Sequence, residues 1–547
     1  MLRLGGLAVL LGALLAQPAA ARQRAADHGT IVIVVGQEAT TPIPTIPPTQ
    51  ANTDVMGLLF LKLARLDSTY TTVGDGGFIP ELAARWRRRD SLTLAFELDP
   101  RARWHDGRPV TPRDVLHTFE RIRTPGVDPQ ANLLTRFITA VTAEGDRTVV
   151  FHFSRRYPEQ FFDAVNHVSP LPAHLVDTIA PARLAASAFA QAPVGNGPYR
   201  WVRREPGRQL ELAADPGFFL GAPRLDRVVF LLARDHDAQT NLLLDGTADA
   251  LENVNPPPRI ARIAARPGLR IVSAPTFGVG YLLFNQRAYG DRSAPHPILA
   301  DPAVRRAITV ALDRTRIVRS TLGPFGQVAE GPVAQLHWIR DRSWRPPAGN
   351  PAAARALLAQ AGWADRNGDG ILERDGLPLI LRLNYPGTNA VRSPMAAQVQ
   401  EQLRQVGVRI ELVRLDGPVW ADRRTRGEFD LDFSQAAMAA SPSGMVQSWS
   451  CAGRSGSNVG QYCNPRVDSL LDAAASGRTD PLPLYREAVR QVNEDAPAVF
   501  MYVVTNAAAV HTRFANVQFR PDAWWSLLWK WSVRPGRQIA RDRVPGR

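Results

Sequence analysis

An α/β fold divided into two or three lobes is what the sequence predicts, and three observations carry that expectation. The chain has 547 residues, enough for two or three units of about 100 to 200 residues, and its 45% hydrophobic and 21% charged content is ordinary globular material. Helix-like stretches opened by proline alternate with short β-rich runs; Gly407 alone separates a helical pattern ending at Val406 from the strand-like residues 408–413. No repeat of fixed period and no long low-complexity linker occurs, so short crossing segments must join the lobes.

In chain order, the first segment is a targeting signal. Arg3, the apolar residues 4–15 and the small residues Ala19, Ala20 and Ala21 predict a signal peptide, residues 1–21, cleaved near Ala21. The apolar stretch is shorter than the roughly 20 residues a membrane span requires, and no later segment is longer. No cysteine sits at the cleavage site, so a free periplasmic protein is expected, not a lipoprotein. Residues 31–35 then read as a strand and residues 40–49 as an extended Pro/Thr-rich loop. Leu92, Leu94, Phe96 and Leu98 alternate on one face of a half-buried strand, and His105-Asp106-Gly107 makes a turn. Thr111-Pro112-Arg113-Asp114 starts a helix, with a capping hydroxyl, a proline at the first helical position and an acid at the third.

The second half repeats this punctuation. Asp301-Pro302 opens a helix with Val304, Ala307, Ile308, Ala311 and Leu312 on one face, and Asn350-Pro351 opens another that ends at Gly362. Ser393-Pro394 opens a third, with Val399, Leu403 and Val406 inward and Gly407 as its stop.

The formal charge of +14 raises the question of nucleic acid, but Lys62 and Lys530 are the only lysines and the arginines are scattered. The short runs Arg87-Arg88-Arg89 and Arg423-Arg424 read as solvated surface, and no nucleic-acid partner is expected. Two cysteines, Cys451 and Cys463, lie close in sequence; in an oxidising compartment they are expected to be bridged, the alternative being two unrelated thiols.

Catalytic constellations are missing. Gly453-Arg454-Ser455-Gly456-Ser457 fails as a nucleophile elbow, no His-Glu-x-x-His occurs, and His105, His117, His152 and His511 lack metal-ligand spacing. Neither lysine follows a glycine, so no phosphate-binding loop exists and any energy coupling belongs to another protein. Asp365-Arg366-Asn367-Gly368-Asp369-Gly370 begins like a calcium loop, but position twelve is Gly376, with Glu373 and Asp375 as the only substitutes; an acidic turn is expected, with no metal and no cofactor.

A set of motifs in order resembles the family 5 extracytoplasmic solute-binding proteins of ABC importers, the peptide/nickel-binding class. They are Pro80-Glu81-Leu82-Ala83-Ala84-Arg85-Trp86, Trp104-His105-Asp106-Gly107-Arg108-Pro109-Val110-Thr111-Pro112-Arg113-Asp114-Val115, and Pro193-Val194-Gly195-Asn196-Gly197-Pro198-Tyr199, with Asn196 where threonine is usual. Gly246 to Asp249, Tyr281 to Asn285, Arg305 to Ile308 with Ala311 to Arg314, and Asn464 to Leu471 continue the set across most of the chain. Gly195 and Gly197 permit backbone conformations closed to other residues, so this motif is either the turn where the chain re-enters its first domain or a surface turn.

The resemblance implies a two-lobed periplasmic-binding-protein fold, the class II three-domain variant, with mixed sheets and a ligand cleft between the lobes. Residues 22–65, 189–275 and 506–535 would form a discontinuous domain I, residues 66–188 an inserted domain II, residues 276–505 domain III, and residues 536–547 a basic tail. The implied function is capture of a peptide-like or other small solute by a monomer that delivers it to ABC permease subunits with their separate ATPases, without catalysis. A secreted hydrolase or a ligand sensor on the same fold is the alternative. Oligopeptide, dipeptide, nickel-chelate, haem, sugar and opine binders are alike at this level.

By the same resemblance Trp420 and Trp449 approach the cleft, with core packing as the other reading. Dipeptide-binding members share the Cys451, Gly456-Ser457-Asn458, Cys463 arrangement. Peptide-binding members place an acid for the ligand's ammonium group in the stretch that here reads Ala440-Ser441-Pro442-Ser443, so Ser441 and Ser443 are the site residues there. Arg392 lies near where some relatives hold the ligand's carboxylate; it is otherwise a solvated loop arginine. A neutral or anionic ligand, such as an N-blocked peptide or a non-peptide acid, is the resulting expectation.

Overall fold

Strand Thr30–Val35 lies at the centre of the first lobe because Ile31, Ile33 and Val34 have apolar neighbours on both faces, and a strand buried on both sides is at home among parallel partners. A computed structural model describes residues 28–46, 49–125, 127–254, 256–387 and 391–542 of the chain. The expected signal peptide, residues 1–21, lies outside the described residues, as do residues 543–547 of the basic tail.

One mixed sheet runs through both lobes. Its strands lie in the order Arg409–Leu415, Ile380–Pro386, Leu431–Ala437, Leu269–Phe284, Ala498–His511, Ala250–Leu251, Thr30–Val35, Arg227–Leu232, Gln209–Ala214 and Tyr199–Glu205, with Gln327–Val328 also pairing with Ala498–His511. A separate antiparallel sheet, ordered Ala83–Asp90, Thr93–Leu98, Thr148–Phe153 and Ile138–Glu144, forms from residues 83–153. Leu94, Phe96 and Leu98 are buried there as expected, but Leu92 is 38% exposed: the strand starts at Thr93, and Leu92 belongs to the preceding turn.

The motifs have structural tasks. Asp114 receives the amide and hydroxyl of Thr111, the Trp104 indole N–H and the Ala173 amide, which fixes the start of helix Pro112–Arg123. The His105 Nδ1 accepts from the Gly195 amide, so its proton sits on Nε2, which donates to the Gly197 carbonyl at 3.0 Å. Gly195 and Gly197 are not in the left-handed region; they are needed because a Cβ would lie 2.0 Å from the Leu59 carbonyl oxygen and 2.4 Å from that of Leu58. The close approach lets the amides of Asn196 and Gly197 both donate to Leu59.

Arg305 and Arg314 are buried clamps on main-chain carbonyls: Arg305 donates to Leu299, Ala300, Asp495 and Ala496, and Arg314 to Pro347 and Phe500. Asp249 accepts from the Val32 amide and from Arg513, which also reaches Asp542 and the Thr30 carbonyl, pinning the first strand to the last described residues. Helices Pro302–Ala311 and Pro351–Gln360 start where expected, capped by Asp301 and Asn350. The third begins earlier than expected, as Arg392–Arg404 with Val391 before it, so Ser393 is inside the helix and caps nothing.

Asp365 accepts from the Gly368 and Gly370 amides, and Asp369 from Ile371, so these carboxylates hold their own turn together. Arg89 pairs with Glu144 and Arg88 with Gln160. The Cys451 and Cys463 sulfurs are bonded at 2.09 Å, and the Asn458 side chain inside that loop donates to the Ser450 and Tyr462 carbonyls. No helix among the described residues is long and apolar enough to cross a membrane.

Candidate ligand-binding cleft

Two long strands cross from lobe to lobe, and their middle forms the floor of a cleft. Leu269–Phe284 and Ala498–His511 pair antiparallel from Leu269 with His511 to Leu283 with Ala498, and the register shifts between Pro275 and Val279. A Cβ at Gly280 would lie 2.2 Å from the Tyr502 ring and one at Gly278 would lie 2.8 Å from the Val504 side chain, so glycine lets both side chains lie across the neighbouring strand. Tyr502 and Asn506 on this floor, Asn253 and Arg259 from the first lobe, and Phe325 and Gln435 from the second enclose a cavity of about 590 Å³. That volume is in the usual range of small-molecule sites.

Behind cleft-lining Val391 and Tyr502, the second lobe holds a charged cluster. Arg392, at the start of its helix, is buried; its guanidinium lies 5.6 Å from the Trp420 ring centre, and its charge opposes the rise that burial gives the Tyr502 hydroxyl. The Tyr502 hydroxyl donates to Gln435 Oε1 at 3.3 Å. Arg424 lies 5.7 Å from the same indole. Trp420 Nε1 and Arg424 Nε converge on the two oxygens of Asp432, at 2.6 and 3.0 Å. Asp432 is without solvent exposure, and burial holds its carboxyl above the ordinary carboxylate range against the pull of Arg424 and Trp420. Burial likewise raises the hydroxyl of Tyr281, which meets Ser434 and Arg424. Arg424 thus pairs with the one buried carboxylate here, and Arg392 and Arg424 both lie over the Trp420 indole.

A smaller chamber of about 140 Å³ adjoins this cluster, bordered by Leu134, Met438, Ser443, Gln447 and Trp449. Trp449 is buried, edge-on to Tyr281 at 5.7 Å and Phe500 at 5.3 Å, so it is chiefly a core residue that borders this chamber. Ser441 donates to Glu159 Oε2 at 2.7 Å and lies 2.8 Å from the Ser443 hydroxyl. Thr72 donates to the other Glu159 oxygen, and the Trp338 indole donates to Thr72. Glu159, buried, therefore ties Thr72 and its own segment to Ser441, 282 positions away, and burial pushes its carboxyl up to about 7.

Of the residues expected from sequence, Arg392 and Trp420 come together, Ser443 and Trp449 border the second chamber, and Ser441 faces Glu159. Arg392 is not a solvated loop residue: it opens a helix and is buried. Arg424 is not simple surface either, since it is tied to Asp432. Tyr502, Gln435 and Glu159 escaped the sequence reading, because nothing local separates a cleft-facing strand residue from any other. Under the floor, Glu252 accepts from Asn506 and the Trp525 indole, and burial raises its carboxyl to about 7.

A family model described as bacterial extracellular solute-binding proteins, family 5, middle, matches residues 77–458. The chain is 25% identical over 502 residues to the oligopeptide-binding protein AppA of Bacillus subtilis (strain 168), covering 87% of each. It is 26% identical over 515 residues to the probable di/tripeptide-binding protein 5 of Pseudomonas aeruginosa (strain UCBPP-PA14), covering 88% of this chain and 90% of that one. Among solved structures, the ABC transporter substrate-binding protein CtaP from Listeria monocytogenes is similar with a TM-score of 0.81 and 21% identity, over 93% of this chain and 99% of that one.

Proposed function

The chain belongs to the bacterial extracellular solute-binding proteins of family 5, and we propose that it is the substrate-capturing component of an ABC importer. It acts in the periplasm as a monomer released from its signal peptide near Ala21, closes its lobes on a peptide-like or other small solute, and hands it to permease subunits driven by separate ATPases. It catalyses no reaction. The observation that carries this reading is the cleft of about 590 Å³ floored by the two crossing strands. The domain division into residues 22–65, 189–275 and 506–535, residues 66–188, and residues 276–505 puts both lobe crossings inside those strands, beside the register shift at Pro275. Closure is then driven by the ligand's preference for the closed state.

Arg392, Trp420 and Arg424 support a ligand that presents a carboxylate or another anionic group to the second lobe. The stretch Ala440-Ser441-Pro442-Ser443 has no acid. Glu159 reaches it from the other lobe but is occupied by two hydroxyls, so a free α-amino group finds a poor partner and a blocked or anionic solute binds better. Native mass spectrometry of the purified protein should detect a retained small molecule, and X-ray scattering should show compaction when that molecule is added back. Scattering curves that stay unchanged at saturation would overturn the reading.

A further inference from the structure

A second cavity lies wholly within the first lobe, away from the interlobe cleft. It measures about 250 Å³ and opens between residues 57–66, the early insert at residues 78–81 and 162–166, and the C-terminal segment 520–530; no residue between 276 and 505 contributes to it. Its chemistry is unusual for this chain. Of 65 basic side chains only Lys62 and Lys530 are lysines, and both line this one cavity, together with Arg65 and Arg520. The two arginines are paired, Arg65 with Glu81 at 3.4 Å and Arg520 with Asp522 at 2.8 Å. Among the described residues no carboxylate lies within 4.0 Å of either ammonium group. Lys62 Nζ donates to the neutral Asn166 amide oxygen at 2.6 Å, and Lys530 Nζ lies 5.1 Å from the Trp529 ring centre. Four cations thus surround two carboxylates, and the surplus charge sits on the two lysines. The rest of the lining is mainly apolar, including Phe78, Phe162, Leu220 and Trp529, with the Ser526 hydroxyl as a further polar group.

We propose that this cavity is a second binding site, for a small carboxylate carried on an apolar body. The carboxylate enters the cavity that both ammonium groups line, where Lys530 is otherwise repelled by the Arg65 and Arg520 guanidinium groups and Lys62 by that of Arg520. The apolar body covers Phe78, Phe162 and Trp529, which adds the area-dependent gain of leaving water. An ammonium is a compact point charge without the planar fork of arginine, so the site selects charge and tail and tolerates varied head-group geometry. The site stands whether or not the interlobe cleft binds what is proposed for it.

The lysine count makes the test selective. Reductive methylation with ¹³C-formaldehyde keeps the positive charge and labels, beside the terminal amine, only Lys62 and Lys530. Sodium octanoate should move both resonances along one shared saturation curve, and inorganic phosphate should move them less at the same concentration. Calorimetry should show octanoate binding weakened by roughly fivefold in Lys530→Gln, whose side chain is exposed, and by at least as much in Lys62→Gln. If Lys62→Gln does not fold, the Lys530→Gln result decides. Resonances that do not respond to millimolar octanoate would overturn the site, as would octanoate binding lost in Arg392→Ala but kept in Lys530→Gln. Equal responses to phosphate would overturn the apolar half of the proposal.

Discussion

At the scale of single residues, the same side chain has different tasks depending on what the fold brings to it. His105, one of several scattered histidines in the sequence, holds two motifs together through both ring nitrogens, and burial lowers its pKa, which keeps it neutral and able to accept from Gly195. Arg392 lies over the Trp420 indole and near the Tyr502 phenol, next to cleft-lining Val391, and that placement gives a residue-level prediction. Removing it deprives a carboxylate-bearing ligand of a charge-assisted hydrogen bond worth about 1.5 to 3 kcal/mol. Arg392→Ala should therefore weaken such a ligand by roughly 10- to 100-fold in calorimetry. An amidated analogue should lose much less. Equal losses for both forms would show that Arg392 supports the cluster without reading the ligand's charge.

At the scale of elements, the glycines of Pro193 to Tyr199 are spatial requirements. The atom that a Gly195 Cβ would meet at 2.0 Å belongs to the Leu59 main chain, at the end of helix Gln50–Leu59, and a main-chain oxygen cannot rotate aside as a side chain does. Gly195→Ala should therefore separate this segment from the helix and lose the paired amide bonds to Leu59, costing about 1 to 3 kcal/mol or more. Urea unfolding measures it; a midpoint equal to that of the parent protein would refute the close-approach argument. The helix starts at Thr111, Asp301 and Asn350 were legible because cap, proline and apolar face are all local signals. The start at Arg392 was misplaced because Ser393-Pro394 imitates that pattern one residue inside the helix.

At the scale of the molecule, Glu159 makes closure depend on pH. Its carboxyl is pushed from an ordinary 4.5 up to about 7, chiefly by burial and then by Asp163, while the Thr72 and Ser441 hydroxyls oppose the shift. A carboxyl with a raised pKa in the closed state holds its proton more tightly there than when the lobes part. The penalty for ionising it is absent below about pH 4.5, grows as pH rises, and is complete above about pH 7. The shift corresponds to a few kcal/mol at most. Glu159→Gln imitates the protonated acid, so at pH 8 it should be more stable and more often closed than the parent, with the difference vanishing near pH 4.5. Paired thermal melts and scattering across that range measure it. A difference independent of pH would show that Glu159 does not ionise within the closed interface.

By itself the sequence determined part of the local grammar: the strands at 31–35 and 408–413, the helix starts that proline and a capping residue mark at Thr111, Asp301 and Asn350, and that Cys451 and Cys463 stand close enough to be bridged. The ordered motifs also carried the family and its two-lobed fold, and some of them meet in space, as His105 of one motif does with Gly195 and Gly197 of another. Only the tertiary structure decided which polar side chains share a space. Glu159 and Ser441 are separated by 282 positions and Lys62 and Lys530 lie near opposite ends of the chain, yet each pair meets in one interface or one cavity. The physical reason is range. Capping and periodicity act within a few residues, whereas a charge's burial, its partners and its pKa depend on whatever the folded chain places within a few ångströms of it.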